Sequence, residues 1–232
     1  MSGRSPRWFA GIRYPYEDNF TDNTWAQIIE ACQKKRIPDT WKVGDQKPMT
    51  INGVDYPIDI IGFDHDDYSD GSGKAPITFQ MHDCYSEMKP TNSISLNRGG
   101  WERCDMRMTH LPAILALMPM EVQNGIREVN KLTSEGNQSS IIVTTADKLF
   151  LLSEIEIFGI VIRSKKGEGT LYDYYTAGAS MRKKTRNGGN VVWRERSPSA
   201  NDNTMFCTVQ TGGADSTADA SYSRGVAFAF CF

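Results

Sequence analysis

The sequence predicts an α+β domain of short antiparallel strands, two or more flanking helices and long irregular loops. Three observations carry this. Asn52 and Gly53 sit between two β-prone runs in MTINGVDYPIDIIGF, a strong short-range hairpin signal. Thr24 and Gln27 have capping-box spacing ahead of an apolar helical face formed by Trp25, Ile28, Ile29 and Cys32. From Ser197 to Arg224, 20 of 28 residues are Ser, Thr, Asn, Asp, Gly or Ala, yet the chain closes in the apolar run GVAFAFCF.

In chain order, residues 1–23 are rich in Arg, Pro, Tyr and Asp without periodicity and read as an arm or attachment segment. The domain proper is expected over 24–232. Its first helix opens at Thr24 and is stopped by Ile37 and Pro38. The hairpin follows, then the polar loop DHDDYSDGSGK and a strand at PITFQM (76–81). From Trp101 to Leu117 the apolar spacing turns helical, with Pro112 expected to split it. IREVNKL (126–132) and KLFLLSEIEIF (148–158) read as extended. GTLYDYYTAG (169–178) reads as a short helix closed by Gly178.

Composition narrows the function. The chain has 232 residues, 26 basic against 28 acidic, with mean hydropathy −0.46. It is long enough for a sizeable core. Its balance gives no electrostatic recruitment of nucleic acid. No apolar run reaches the roughly 18–20 residues that span a bilayer, so no membrane insertion is expected. No signal-peptide pattern opens the sequence, which predicts synthesis in the cytoplasm. Cys32, Cys84, Cys104, Cys207 and Cys231 are odd in number with no CxxC pair, and read as reduced, buried thiols.

Motifs for catalysis are sparse. His65, His82 and His110 are the three histidines, none in zinc-hydrolase spacing. No nucleophile elbow, Walker A or dinucleotide fingerprint occurs. The acidic loop Asp64, His65, Asp66, Asp67, Asp70 offers oxygen ligands for calcium, but its spacing fails the EF-hand and no Glu closes it, so it reads as solvated. The basic run Arg182, Lys183, Lys184, Arg186 reads as a solvated face or subunit contact rather than a phosphate site. No cofactor and no metal are expected.

The C-terminal tract is different in kind. Phe206, Cys207 and Val209 interrupt it with strand-like residues, and a flexible tail does not finish in core. It therefore reads as surface loops pinned by a packed sheet, where binding usually lives. Trp193 and Tyr222, amid Ser, Thr, Asn and Gly, have the composition of an adaptable paratope. Trp193 reads equally as a core residue at a strand end.

One ordered set, GGWE (99–102), VNKLTSEGNQSS (129–140), DKLFLLSEIEIFG (147–159), GEGTLYDYYTAG (167–178), VVWRERSP (191–198) and GVAFAFCF (225–232), resembles a domain family of gut Firmicutes and their phages. The upstream IIGFDHDD (60–67) and TFQMHDC (78–84) fit the same family, so the likeness covers about 24–232. Several members look like variable proteins of diversity-generating retroelements, whose targets end in a C-type-lectin-like fold. The resemblance implies that fold here, and non-catalytic binding of a protein or glycan on a cell surface through a variable segment at 197–232. It implies display on a virion or cell surface, in a homo-oligomer or phage particle. Adenine changes in Asn codons yield Asp, Ser, Thr, Ala, Gly and Tyr. The implied contact residues are Asp202, Thr204, Thr208, Thr211, Ala214, Asp215, Ser216, Thr217, Ala218, Asp219 and Tyr222, with Met205, Gln210 and Arg224 beside them and Trp193 at the margin. The tract departs from the family pattern in having few Asn and no dense aromatic cluster. Two alternatives stand: a structural phage protein with inert polar loops, and a formylglycine-generating type of enzyme, which needs a paired-cysteine copper site that Cys207 and Cys231 would have to supply.

Overall fold

A computed structural model describes residues 15–232, which form a mixed α+β structure of several short antiparallel sheets. Helix α1 (Trp25–Gln33) carries the capping box: the Thr24 hydroxyl accepts from the Gln27 amide and the Gln27 side chain accepts from Thr24 N–H. The hairpin joins β1 (Gln46–Ile51) to β2 (Val54–Phe63), with Asn52 and Gly53 both at positive φ as a type I′ turn requires. Strand β3 (Ile77–Met81) pairs with β2.

Residues 101–117 divide differently from the sequence expectation. A short helix α2 (Gly100–Arg103) ends at extended Cys104; a π-helical turn over Met106–His110 then runs into α3 (Leu111–Leu115). Pro112 causes no break, because it lies in the first turn of α3, where its missing N–H is harmless. Helix α4 (Met120–Gly125) packs on α1, with Gly125 against Ile29.

The next strands are β4 (Val129–Ser134), β5 (Ile142–Asp147) and β6 (Leu149–Phe150). Residues 154–158, expected as extended, form helix α5 (Glu154–Phe158), because Ser153 and Glu156 make a second capping box. A 3₁₀ turn over Asp173–Ala177 is closed by Gly178 as expected. Small strands β7 (Thr185–Arg186) and β8 (Gly189–Asn190) precede β9 (Trp193–Pro198), β10 (Met205–Val209), β11 (Asp215–Asp219) and β12 (Ala229–Cys231).

Two sheets matter for function. The larger has the order β1-β2-β3-β12-β6, so the last strand in the sequence lies inside it. Phe230 sits opposite Phe79, and residues 225–232 are all buried. Phe79 meets Phe230, Phe232 and Phe20 at centroid separations of 5.4, 5.3 and 6.2 Å, and the Tyr68 hydroxyl donates to the Phe232 carbonyl at 2.6 Å. The smaller sheet has the order β11-β10-β9. Every residue of β9 is buried, and β11 is a sheet edge.

Of the segment expected as an arm, residues 1–14 lie outside the described residues. Tyr16, Phe20 and Asn23 are buried, and Phe20 packs edge-on against Trp41 at 5.1 Å, so the packed unit begins upstream of Thr24.

Between the sheets lies a buried ionic hub. The Lys131 ammonium is 2.7 Å from Asp66 Oδ1 and 2.8 Å from Glu156 Oε1, and also donates to the Tyr172 hydroxyl. The Arg196 guanidinium clasps Glu156 and donates to the carbonyls of Leu151, Leu132 and Glu168 and to the Thr133 hydroxyl. Lys131 is the main reason the Asp66 carboxyl, despite burial, is held down at about 2.

Candidate binding surface

Three buried polar side chains pin the irregular loops around β10 and β11. Asn97 is fully buried and donates to the carbonyls of Asp202 and Met205, each at 2.8 Å, while its Oδ1 accepts from the Asn137 amide. Arg194, on β9, donates to the carbonyls of Ala218, Asp219 and Tyr222. Glu154, the first residue of α5, accepts from the amides of Ile162, Arg163 and Ser164 and from the Ser164 hydroxyl, at 2.8–2.9 Å. Buried backbone groups need such partners, and these three residues supply them without lengthening any strand. A polar tract that composition alone would leave disordered is therefore fixed in place.

The tract residues divide by strand face. On β11, Asp215, Thr217 and Asp219 alternate onto one face with Met205 and Cys207 of β10 opposite Asp219 and Thr217. Asp202, Thr204, Met205, Gln210, Asp215, Ser216, Thr217, Asp219 and Arg224 are half-buried; Thr211, Ala214 and Tyr222 are exposed. These twelve share one region. Gln210, Thr211 and Ala214 form the β10–β11 turn, while the Ala220 amide donates to the Thr204 carbonyl at 2.8 Å and Thr204 in turn donates to Asp202 Oδ1. The turn is tight against its support: Gly213 has φ +85°, and a Cβ there would lie 2.4 Å from the Ala179 carbonyl.

Three expected contacts are overturned. Trp193 is fully buried and its Nε1 donates to the Arg182 carbonyl at 2.9 Å, which makes it core. Thr208 is fully buried because it faces inward between Arg194 and Ser216 in the middle strand. Ala218, 7% exposed, faces inward opposite Phe206.

Two further segments that sequence reasoning passed over complete the surface. Arg163 Nε lies 2.7 Å from Asp215 Oδ2, bringing loop 159–164 to one end of β11. That loop exposes Ile160, Val161 and Ile162, at 62%, 39% and 40%. At the other end Ser95 donates to Asp219, bringing exposed Ile94 and Leu96 beside the strand. Three consecutive exposed aliphatic residues on a pinned loop are the kind of apolar patch that marks interaction sites. The usable signal was Gly159 ahead of Ile-Val-Ile: a left-handed helix cap at φ +75° that throws the next residues outward.

The remaining sequence candidates are accounted for locally. Asp66, Asp67 and Asp70 pair with Lys131, Lys74 and Arg127, so the acidic loop already carries its own counter-charges. His82 bonds Asp59 at 2.8 Å and His65 stacks on Tyr172 at 3.8 Å. The basic run is not a solvated face: Lys184 is buried and donates to the carbonyls of Met81 and His82, and Arg182 donates to Gly213. All five cysteines are buried and free. Cys207 lies in the small sheet beside Glu195, and Cys231 in the large sheet beside Asp66 and Thr78, so the two are not paired. A cleft of about 310 Å³ lined by Arg107, Leu111, Leu115, Asp147 and Lys148 shares no residue with the tract, and its Arg107 pairs with Asp147.

With this geometry in view, the family follows. A family model described as a domain of unknown function (DUF6273) matches residues 78–232, that is 155 of 232, and the chain belongs to that family. The matched region runs from β3 to the last strand and contains the whole surface just described. No curated protein matches the chain, and no solved structure does. Among the described residues, no helix is long and apolar enough to cross a membrane.

Proposed function

We propose that this chain is a non-catalytic recognition module that grips a protein or glycan target through β11 and the loops at its two ends. The observation that carries this reading is the placement of exposed Ile160, Val161, Ile162, Ile94, Leu96 and Tyr222 around a polar edge strand. Ser, Thr and Asp alone give modest affinity, since aromatic and Arg anchors dominate hot-spot energy, whereas exposed aliphatic side chains add apolar area to bury. The flanking apolar loops supply anchors that the tract itself lacks.

The finer assignment is a C-type-lectin type of fold displaying a diversified segment. Two features support it: the last strand runs between β3 and β6 in the main sheet, and a second short sheet carries the irregular loops. Exposed positions such as Thr211, Ala214 and Tyr222 accept exchange because surface changes usually move stability by less than about 0.5 kcal/mol. Multivalent display on an oligomer or phage particle multiplies weak single-site binding.

Sequencing the locus tests diversification. A reverse-transcriptase gene beside a near-copy of the segment encoding 197–232, differing only at adenines, is the expected finding. A locus with neither favours a structural role with inert loops.

A further inference from the structure

Beneath the apolar loop, two carboxylates and a thiol from three elements converge in a fully buried space. Glu154 of α5, Glu195 of β9 and Cys207 of β10 are fully buried, and each offers a ligand atom within 4.8 Å of the other two. Glu154 is satisfied by the amides of loop 162–164. Glu195 differs: neither of its carboxylate oxygens has a hydrogen-bond partner. The nearest cations are committed elsewhere, Arg196 to Glu156 and Arg163 to Asp215.

The ionic hub provides the contrast within the same fold. There, Asp66 and Glu156 face a lysine ammonium placed between them. Here the acids face one another with no cation of the described residues in contact. An unpaired carboxylate costs several kcal/mol to bury, so a native structure keeps one only with a proton or a counter-ion. A thiol beside two carboxylates is a donor set for a borderline-soft divalent metal, since zinc takes sulfur and carboxylate oxygen together.

We infer that Glu154, Glu195 and Cys207 hold a divalent ion of the zinc class that fastens loop 159–164 to the small sheet. Binding ionises both Cys207 and Glu195, and their two protons leave to solvent, so that the ion is held by one thiolate and two carboxylates. Without the ion, burial and the neighbouring Glu154 push the Glu195 carboxyl well above its ordinary range, and burial and Glu195 push the Cys207 thiol up in the same way. Full burial closes the site to substrate, so the ion's role is structural. This inference stands apart from the binding reading, since a metal beneath the loop neither requires nor excludes a target above it.

The test uses the full-length chain, stripped with a chelator, dialysed against zinc and freed of unbound metal, with metal counted by mass spectrometry. Cobalt(II) in place of zinc adds a sulfur-to-cobalt charge-transfer band. The expected result is close to one zinc per chain, a cobalt band in the wild type, and a higher melting temperature with zinc. Cys207→Ser should lose the band, and Glu195→Gln should weaken zinc binding about 100-fold or more, beyond the roughly 10–100-fold that outer-shell partners contribute. Less than a tenth of an equivalent of zinc with no cobalt band, or a band that survives in Cys207→Ser, overturns the inference. If Cys207→Ser does not fold, the loading and band of the wild type decide alone.

Discussion

Arg163 and Asp215 join a loop of three exposed aliphatic residues to the first residue of an edge strand, Nε to Oδ2 at 2.7 Å. The pair is partly solvated, at 45% and 27% side-chain exposure, so its worth is positional rather than energetic. A double-mutant cycle with Arg163→Ala and Asp215→Ala should give a coupling of about 0.2–1 kcal/mol. Hydrogen exchange in loop 159–164 should rise in both single variants. Unchanged exchange would mean that Glu154 alone sets the loop.

Surface tolerance should follow exposure. Random substitution at exposed Thr211, Ala214 and Tyr222 should leave the melting temperature nearly unchanged. Ala218→Tyr should cost about 1–3 kcal/mol by overpacking against Phe206. Asp219 should also be intolerant, because its Oδ1 accepts from the amide and hydroxyl of Ser221. A saturation library sorted for folded protein checks all of these together. Equal tolerance at Ala218 and Thr211 would contradict the assigned burial.

The ionic hub should fail when its cation is removed. Lys131→Met leaves buried Asp66 without its ammonium and Glu156 with Arg196 alone. The expected destabilisation is about 3–5 kcal/mol by denaturant melting. Lys131→Met combined with Asp66→Asn should recover part of it. A single variant within about 0.5 kcal/mol of the wild type would show that the hub does not hold the sheets together.

Stability should fall as pH rises from about 4.5 to about 7 because of Glu168. Burial raises its carboxyl from 4.5 to about 7, against bonds from the Ser197 hydroxyl and the Ser134 amide. The folded chain keeps this proton where the unfolded chain has released it. The contribution is therefore fully present below about pH 4.5 and is lost as pH rises to about 7. It amounts to about 3 kcal/mol at most. Asp66 acts in the opposite direction only at lower pH, between about 4 and 2. Glu168→Gln should flatten the slope between pH 4.5 and 7 in urea melts, and an unchanged slope would assign it elsewhere.

The sequence made some of this legible and hid the rest for identifiable reasons. The hairpin at Asn52 and Gly53 and the helix at Thr24 follow from local backbone chemistry, and both are present. The burial of the closing strand follows from its apolar run. The extended reading of 148–158 misses α5 because Leu149 to Leu152 are β-prone and mask the Ser153 and Glu156 cap. Lys184 reads as part of a solvated basic run because its carbonyl partners lie far away in sequence at Met81 and His82, and the buried roles of Arg194 and Arg196 leave no local signal for the same reason. Trp193 reads equally as contact or core, and only the third dimension decides for core by showing that its strand is enclosed. Loop 159–164 was missed because exposure of Ile160, Val161 and Ile162 is set by Glu154 and Gly159, not by hydrophobicity.

The most direct test of the central claim is binding itself. The full-length chain, biotinylated and tetramerised on streptavidin, is applied to arrays of glycans and bacterial surface proteins beside an Ile160→Asp, Ile162→Asp double variant. The account predicts that the wild type holds at least one target, and that the double variant loses it at least about tenfold while melting within a few degrees of the wild type. Equal retention by both proteins, or loss only in variants that unfold, would contradict it.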